Sequence, residues 1–252
     1  MNYIAPLRLL VTAVALFATA FSTAAAEPAW RSLFNGRDLT GWKIVGPQSK
    51  AYTAVADGAL TGHMLRGTPE HTFFCTEESF GDFILEIDAF QTGGFNTGIL
   101  FRCVETPATA SVRLHGYQVK IDPSTTRRWT GGIFDDYGKN WLWLQTLDGD
   151  DRARSAYRFN EWVRFRIEAV GRTLKVWVNG IPTAHLLNDK YTRGPIALKI
   201  HSFPATGDAA QEKNLIRYRN VRILTTDLAR HAQAMDLPAR EADPTQKVLP
   251  KP

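Results

Sequence analysis

Short runs in which apolar and polar residues alternate, separated by tight turns, make up most of this sequence. From Val163 to Ala169 every second residue is apolar, and the same period recurs in Ile99–Val104, Tyr117–Asp122 and Ile196–His201. A period of two is that of an antiparallel strand with one face on a core. About a dozen such runs, with almost no helical spacing, predict an all-β protein: an antiparallel β-sandwich of two sheets packed face to face.

Turn residues between these runs predict which strands are neighbours. Asp57-Gly58 and Asn179-Gly180 each separate two strand-like runs. An Asn or Asp followed by Gly tolerates positive φ and closes a two-residue hairpin. With Gly171-Arg172 as a further turn, the sequence predicts a three-stranded meander from Trp162 to about Leu187.

The N-terminus predicts export. Arg8 precedes an apolar run from Leu9 to Phe21, and small residues follow up to Ala26. This is the pattern of a secretory signal peptide, residues 1–26, most simply for a bacterial periplasm. The alternative is a membrane anchor, but the apolar run is shorter than the roughly 20 residues of a spanning helix. The predicted sandwich domain then covers residues 27–226, and residues 227–252 form a polar, proline-containing tail with a short helix near Leu228–Met235.

Composition argues against a nucleic-acid partner. The chain has 30 Lys and Arg against 25 Asp and Glu, a formal net charge of +5, and these residues are scattered along it. A nucleic-acid binder gathers its positive charge on one stripe. Seven Trp and fourteen Phe instead provide the material for a large core.

Two cysteines, Cys75 and Cys103, leave two readings open. In an oxidising compartment they would pair as a disulfide. They would otherwise be buried free thiols on separate strands. Their spacing is not that of a redox or zinc motif.

Alternation also indicates which side chains point away from the core. A merely solvated face would carry Thr, Ser, Lys and Glu, whereas rings and planar donors suit the faces and hydroxyls of sugars. We therefore favour a recognition surface over an ordinary wet sheet face. The residues on the non-core side of their strands are Arg102, Gln118, Lys120, Lys175, Trp177, Lys199 and His201.

A second concentration lies between Trp129 and Trp143, where three Trp and a Tyr surround Asp135 and Asp136 in a glycine-rich stretch. In a turn the two carboxylates would reach one pocket as a general base or as ligands of a hard cation. The alternative is a pair that stabilises the turn.

Several segments together resemble one family, the 3-keto-disaccharide hydrolases, also called domain of unknown function 1080. The resemblance extends from about Trp30 to Leu224. It is carried by Leu33-Phe34-Asn35-Gly36-Arg37-Asp38-Leu39-Thr40-Gly41-Trp42, Phe80-Gly81-Asp82-Phe83, Asn96-Thr97-Gly98-Ile99, Gly116-Tyr117-Gln118, Gly131-Gly132-Ile133-Phe134-Asp135-Asp136, Gly194-Pro195-Ile196-Ala197-Leu198-Lys199-Ile200-His201 and Arg219-Asn220-Val221.

This resemblance implies a concanavalin A-like jelly roll that acts on 3-keto sugars, in partnership with a sugar 3-oxidoreductase. It implies a base, for which His201, Asp135 and Asp136 are candidates, and Arg102 as a cation beside the developing oxyanion. A divalent metal would serve the same purpose, but no residue is assigned to it. The expected sugar contacts are Gln118, Lys120, Lys199, Trp141 and Trp177.

The reaction class stays open between two hypotheses. In the first, an exported enzyme cleaves 3-keto glycosides by elimination and hydration. In the second, the same fold is a non-catalytic carbohydrate-binding module. The enzyme hypothesis requires Asp135, His201 and Arg102 to meet at one cavity.

Overall fold

The structure is a computed structural model, and it describes residues 1, 30–46, 53–68, 70–107, 112–122, 124–135, 142–203 and 205–242. Apart from residue 1, the predicted signal peptide lies outside the described residues, as do Asp136, Trp141 and residues 243–252 of the predicted tail.

The described residues form sixteen strands and three short helical segments. The strands are β1 (Arg31–Ser32), β2 (Trp42–Val45), β3 (Thr53–Ala56), β4 (Ala59–His63), β5 (Thr72–Phe80), β6 (Phe83–Gln91), β7 (Thr97–Pro107), β8 (Val112–Ile121), β9 (Ile133–Asp135), β10 (Leu142–Gln145), β11 (Trp162–Val170), β12 (Thr173–Val178), β13 (Ile181–Leu187), β14 (Gly194–Ile200), β15 (Leu215–Leu224) and β16 (Arg240–Glu241). The helices are α1 (Asp151–Arg154), a 3-10 helix (Ala209–Lys213) and α2 (Leu228–His231).

Two sheets contain these strands. Sheet A has nine strands, in the order β16-β13-β12-β11-β6-β15-β4-β3, with β1 also paired to β15. Sheet B has seven, in the order β10-β9-β8-β7-β14-β5-β2. Apart from β16, which runs parallel to β13, the paired strands are antiparallel. The predicted antiparallel sandwich is confirmed.

The main core lies between the sheets, since its buried residues come from both. Leu85 and Ile87 of sheet A and Ile99 and Val119 of sheet B belong to this cluster. Apolar side chains recur with period two along these strands, so they lie on one face of each sheet and pack against the other sheet. The residues between them point away from this core. We call the side of each sheet away from this core its outer face.

The predicted turns are where the sequence places them. Asp57 and Gly58 have φ of 49° and 70°, and they join β3 to β4. Asn179 and Gly180 have φ of 49° and 76°, and they join β12 to β13. The meander β11-β12-β13 is therefore confirmed.

One irregularity in β7 reverses part of the predicted pattern. The register against β8 shifts between Phe101 and Val104, and Arg102 has a φ of 50°. Such a bulge turns the following side chains to the opposite face. Cys103, predicted to share a face with Ile99 and Phe101, instead joins an apolar cluster with Leu100.

The predicted tail is only partly irregular. Its helix ends at His231, earlier than the predicted Met235, and β16 then pairs with β13. Arg166 donates to the His231 carbonyl, and the backbone N–H of Gln233 donates to Glu168. The chain near His231 and Gln233 thus contacts the outer face of sheet A, and β16 extends the edge of that sheet. Because β16 has two residues and depends on tertiary pairing, it leaves no pattern in the sequence.

Both cysteines are buried free thiols, so the disulfide alternative is wrong for this structure. Burial raises the pKa of Cys75 to about 12 and that of Cys103 well above its ordinary value. Among the described residues, no helix has the length and apolar character required to cross a bilayer.

Candidate functional site

The outer face of sheet B carries two adjacent rows of side chains that cross neighbouring strands. In the first, which we call the lysine row, Lys199 of β14 lies beside Gly98 of β7, and Gly98 lies beside Lys120 of β8. In the second, Gln118 lies between Leu100 and Phe134. Each row is formed by main-chain pairing, so rigid strands hold the chemistry.

Gln118 packs directly over Gly98. A Cβ on Gly98 would overlap the Gln118 amide and come within 2.6 Å of the Val119 carbonyl oxygen, so no larger residue fits there. The Gln118 Nε2 donates to the Thr97 carbonyl at 3.1 Å. Its Oε1 is buried and receives no hydrogen bond from the described residues. An unpaired buried acceptor costs about 1–3 kcal/mol, which a hydroxyl donor from a ligand would offset.

The two lysines flank this amide and are deeply buried. Lys199 is 2% exposed and Lys120 is 5% exposed. Since Gly98 lies between them, their Cα atoms are two strand spacings apart, about 10 Å. The Lys120 Nζ lies 4.3 Å from the centre of the Phe134 ring, where the ring stabilises an ammonium group. The lysine row therefore has a lysine on each side of Gly98, and the Gln118 side chain fills the position above this glycine.

The main chain of Lys199 is fixed from the core side. Its carbonyl oxygen accepts hydrogen bonds from the Thr97 hydroxyl and from the Tyr218 hydroxyl, the latter at 3.2 Å. Burial raises the pKa of Tyr218, so that this hydroxyl stays protonated and donates. Thr97 thus connects Lys199 to Gln118 through its hydroxyl and its carbonyl.

Two histidines lie where the lysine row meets the end of β14. The rings of His201 and His71 are 4.3 Å apart. The His201 Nδ1 is 2.6 Å from the Ser202 carbonyl, which only accepts, so this nitrogen carries the proton. In the neutral ring the lone pair is then on Nε2, as a general base requires. His71 has the opposite tautomer, because its Nδ1 accepts from the Ser202 N–H at 2.9 Å.

Aromatic rings border the other end of the face. Trp143 packs edge to face on Phe134 and Trp129, with ring centres 5.3 and 5.1 Å apart. Arg127 lies over the Trp129 ring and pairs with Asp122 through two hydrogen bonds of 2.9 and 2.8 Å. The aromatic residues of the glycine-rich stretch therefore form a packed border beside Lys120.

Asp135 lies on the opposite side of sheet B. In β9 it shares a side with Ile133, a core residue, while Phe134 points outward. Its carboxylate accepts from the Tyr191 hydroxyl at 3.0 Å and pairs with Lys190. The structure thus does not bring Asp135 to His201, contrary to our expectation, because the start of β9 sets which of its alternate residues faces outward.

Arg102 is also away from the lysine row. Its guanidinium is 1% exposed and donates to the carbonyls of Gly81, Gly171 and Tyr191 at 3.0, 2.8 and 3.2 Å. It also pairs with Asp82 at 3.0 Å. The bulge in β7 carries this side chain off the outer face, and it joins the ends of three loops. The expected meeting of Arg102 with His201 is therefore wrong.

Trp177 is on the outer face of its strand, as predicted, but that strand belongs to sheet A. It is buried beside Arg166, whose guanidinium lies 6.0 Å from the ring centre. The structure accordingly places Gln118, Lys120 and Lys199 on neighbouring strands of one face, with His201 directly after the end of β14. Arg102, Asp135 and Trp177 lie elsewhere. Asp136 and Trp141 lie outside the described residues.

Metal and thiol chemistry find no support in the described part of the chain. No group of three or more His, Cys, Asp or Glu side chains there is arranged to hold a metal ion. Cys75 and Cys103 lie in the apolar cluster of the same outer face, and their raised pKa keeps them as thiols. The polar chemistry of this face therefore rests on the lysines, the amide and the imidazoles.

Sequence reasoning missed Gly98, His71 and Phe134. The Asn-Thr-Gly motif contained a signal for Gly98, since an interior glycine in a strand often marks a close approach. His71 is 130 positions from His201. Its contact depends on the pairing of β5 with β14, which no local pattern reveals.

A family model described as the 3-keto-alpha-glucoside-1,2-lyase-like domain matches residues 29–224. No curated protein matches the chain. Solved structures, in contrast, offer many similar folds at low sequence identity.

Three examples with TM-scores above 0.5 show the range of these proteins. A proposed glycosyl hydrolase from Parabacteroides distasonis has a TM-score of 0.55 and 16% identity, covering 79% of this chain and 94% of that one. The carbohydrate-binding module CBM66 from Bacillus subtilis has a TM-score of 0.52 and 16% identity, and the match covers 73% of this chain and 95% of that one. The kappa-carrageenase from Pseudoalteromonas carrageenovora has a TM-score of 0.52 and 12% identity, and the match covers 82% of this chain and 99% of that one. The fold is therefore the jelly-roll sandwich shared by these glycosidases and binding modules.

Proposed function

We propose that this chain, which belongs to the family of 3-keto-alpha-glucoside-1,2-lyase-like domains, cleaves glycosides of 3-keto sugars at the outer face of sheet B. The observation that carries the proposal is the buried acceptor oxygen of Gln118 beside two buried lysines. A sugar hydroxyl is the donor that this oxygen lacks, and the lysines are the charges that an enolate needs.

The chemistry follows from the ketone. A carbonyl at C3 makes the C2 proton acidic, so a base removes it and the C1–O bond breaks with departure of the aglycone as an alcohol. Water then adds at C1, and a proton returns to C2. The sum is hydrolysis, and it does not need the two carboxylic acids of ordinary glycosidases.

The residues divide this work by position. His201, with its lone pair on Nε2, is the base. Lys120 and Lys199 lie on either side of Gly98 and stabilise negative charge at the C3 oxygen. Gln118 orients the ring through a hydroxyl, and Phe134 and Trp143 provide an apolar border.

Location and partner are part of the proposal. The apolar N-terminal run supports export to a periplasm. A sugar with a free ketone at C3 must be made by oxidation, so a sugar 3-oxidoreductase would supply the substrate. Detection of the protein in the periplasmic fraction, with Glu27 as its first residue, tests export. Retention in the cytoplasm at full length would overturn it.

The decisive assay incubates the purified protein with 3-keto-trehalose, a 3-keto-β-glucoside and their unoxidised counterparts, with and without a chelator. We expect sugar release from the keto forms alone. In His201→Gln turnover should fall by about 10²–10⁴-fold, whereas His63→Gln on sheet A should retain it. Equal cleavage of unoxidised sugars, or full activity without His201, would contradict the proposal.

The second candidate is a carbohydrate-binding module. It is favoured by the aromatic border next to Gln118 and by the fold shared with CBM66. It predicts that calorimetry detects sugar binding, that Gln118→Ala abolishes this binding, and that no bond is cleaved.

A further inference from the structure

We propose that the outer face of sheet A carries a second binding site, which takes acidic saccharides through Arg217, Arg219 and the ring of Trp162. A carboxylate or sulfate group of the sugar is the part that the arginines recognise. The site is independent of the cleavage reaction, because Gln118 and the lysine row belong to sheet B.

Strand pairing gathers these side chains at one end of sheet A. Phe90 of β6 pairs with Trp162 of β11 on one side and with Arg217 of β15 on the other. Arg219 follows Arg217 by two positions, the repeat that returns a side chain to the same face of a strand. Since Ala89 belongs to the core, Phe90 and its two partners point outward. Three strands thus hold two aromatic rings and two guanidinium groups together.

The Trp162 ring is the common contact of both arginines. The central guanidinium carbon lies 3.9 Å from the ring centre in Arg219 and 5.7 Å in Arg217, close enough for a cation–π interaction. The Phe90 ring, 5.5 Å from that of Trp162, adds an apolar neighbour. Two positive charges are therefore held around one ring, and an anion between them would be stabilised by both.

The charge of Arg219 is only weakly compensated by the protein. Its ion pair joins Nε to the Asp88 Oδ2 over 3.8 Å, beyond hydrogen-bonding distance. That oxygen already accepts from Asn220 at 2.7 Å and from Arg164 at 3.3 Å, and the other Asp88 oxygen accepts from Arg164 at 2.7 Å. Among the described residues, Arg219 has no hydrogen-bond acceptor, so its donors are left for a ligand.

Arg217 is held at the turn between β3 and β4. It donates to the Ala56 carbonyl and to Asp57, both at 3.2 Å. The Asp57 side chain is 86% exposed, so water screens this pair. The Arg217 contacts therefore fix the direction of the guanidinium and leave much of its charge uncompensated.

Both guanidinium groups have one edge sealed and the rest within reach of a ligand. The Nε atoms of Arg217 and Arg219 are buried and have no hydrogen-bond acceptor among the described residues. The side chains as a whole are 22% and 41% exposed. A charge that is partly removed from water without an acceptor is costly, and a bound anion would offset that cost. A guanidinium offers a carboxylate or sulfate two parallel N–H donors.

A short acidic sugar fits this surface better than a nucleic acid. The carboxylates of Asp57 and Asp88 border the two arginines, so a continuous chain of phosphates would meet repulsion on either side. A sugar brings its acid group at one point and presents apolar C–H groups beside it. The half-buried rings of Phe90 and Trp162 are suited to those groups.

The test titrates the purified protein with a galacturonic acid tetramer, a sulfated galactose tetramer and neutral cellotetraose, using calorimetry. We expect tighter binding of at least one acidic sugar than of cellotetraose, and weaker binding at higher salt. A preference between the two acidic sugars identifies carboxylate or sulfate as the recognised group. Failure of both acidic sugars to bind would overturn the site.

Variants locate the binding on sheet A. In Arg217→Gln and in Arg219→Gln, affinity for the acidic sugar should fall about 10-fold or more, because charge-assisted hydrogen bonds are lost. Arg219→Lys keeps the charge without the planar fork and should bind with intermediate affinity. Arg172→Gln is the matched control, since Arg172 forms an exposed pair with Glu241, and it should bind like the native protein. Urea midpoints show that each variant is folded.

Three results would contradict the site. Unchanged affinity in both Arg217→Gln and Arg219→Gln would place the acidic sugar elsewhere. Equal binding of cellotetraose, or of a thymidine oligonucleotide, with the same dependence on these arginines would show that an acidic sugar is not selected. Loss of 3-keto glycoside cleavage together with binding in Arg219→Gln would mean that the acidic sugar occupies the site on sheet B. We expect cleavage by Arg219→Gln to equal that of the native protein.

Discussion

The outer faces of the two sheets carry different kinds of polar groups. On sheet A the central strand β6 presents Glu86 and Asp88, and arginines lie on both sides of each. Glu86 accepts from Arg166 and Arg222 at 2.8 and 2.9 Å. Asp88 pairs in the same way with Arg164 and Arg219, and we call this set of ion pairs the ladder on sheet A.

Sheet B has lysines and an amide in a buried setting instead. The Gln118 Oε1 has no donor among the described residues, and Lys120 and Lys199 are almost fully covered. Buried polar groups without partners oppose folding, and structures retain them mainly where a ligand completes them. The arginine pairs of Glu86 and Asp88 on sheet A indicate a structural role, and the Gln118 oxygen on sheet B is an acceptor that a ligand hydroxyl would complete.

The largest expected effect is a loss of stability on replacing Arg102, and it tests whether this residue is structural or part of the site. We expect Arg102→Met to lower the free energy of unfolding by about 3 kcal/mol, because three carbonyls lose their donor. Urea denaturation measures this. The folded protein should still cleave 3-keto glycosides, since the side chain does not reach the lysine row.

The matched control is Arg31→Met. Arg31 pairs with Glu78 on the surface, so its loss should change stability by less than about 1 kcal/mol. An Arg102→Met protein of unchanged stability that had lost turnover would place Arg102 in the site after all.

The next test replaces Gly98, a change that affects sheet B alone. In Gly98→Ala the new Cβ would displace Gln118, and we expect turnover to fall by about 10²-fold, as for other small misplacements of a site. Overpacking would add about 1–3 kcal/mol of destabilisation. Steady-state kinetics on protein shown to be folded measures the first effect.

Gly81→Ala provides the comparison, because its Cβ would meet no atom closer than 3.7 Å. It should leave turnover nearly unchanged. Equal activity in the two variants would mean that turnover does not depend on the position of the Gln118 amide over Gly98.

The sequence predicts which side of a strand a residue lies on, but it does not predict which sheet the strand joins. Period two predicted that Gln118, Lys120 and Lys199 share the outward side of their strands, and the pairing of β7, β8 and β14 confirms it. Parity does not say to which sheet a strand belongs. Trp177 is therefore on the predicted side of β12 but on the other outer face.

Local irregularity explains the remaining errors. Arg102 adopts a φ of 50°, which is unusual for a residue with a Cβ, and no neighbouring residue signals this bulge. Asp135 depends on the exact start of a three-residue strand, where a shift by one position reverses its direction. Contacts such as that of His71 with His201 depend on tertiary pairing.

Acid should weaken the ladder on sheet A. Burial tends to raise the pKa of Glu86, but hydrogen bonds from Arg222 and Arg166 outweigh this and hold it below its ordinary value of 4.5. A folded-state pKa that is lowered contributes stability above pH 4.5, and this contribution is lost as the pH falls through the folded-state value. Urea midpoints between pH 7 and 3 should therefore fall less steeply in Glu86→Gln than in the native protein.

Glu78→Gln serves as the reference, since Glu78 forms an exposed pair with Arg31. It should follow the native curve. If the urea midpoints of the native protein and Glu86→Gln fell equally with pH, the ladder would contribute nothing to pH-dependent stability. Its structural role on sheet A would then be wrong.

The smallest effect concerns Cys75 and Cys103, which lie in the apolar cluster of the outer face of sheet B. Burial keeps both thiols protonated at pH 8, with a pKa of about 12 for Cys75, and only the thiolate reacts with alkylating reagents. We expect the native protein to resist iodoacetamide and to form no disulfide under oxidising conditions, whereas in urea both residues should be alkylated. Rapid alkylation of the native protein would mean that this face opens to solvent, and the buried lysines and the Gln118 oxygen would then be hydrated like the ion pairs of sheet A. Slow alkylation at the rate of global unfolding would instead show that the apolar cluster around Cys75 and Cys103 stays closed in the folded protein.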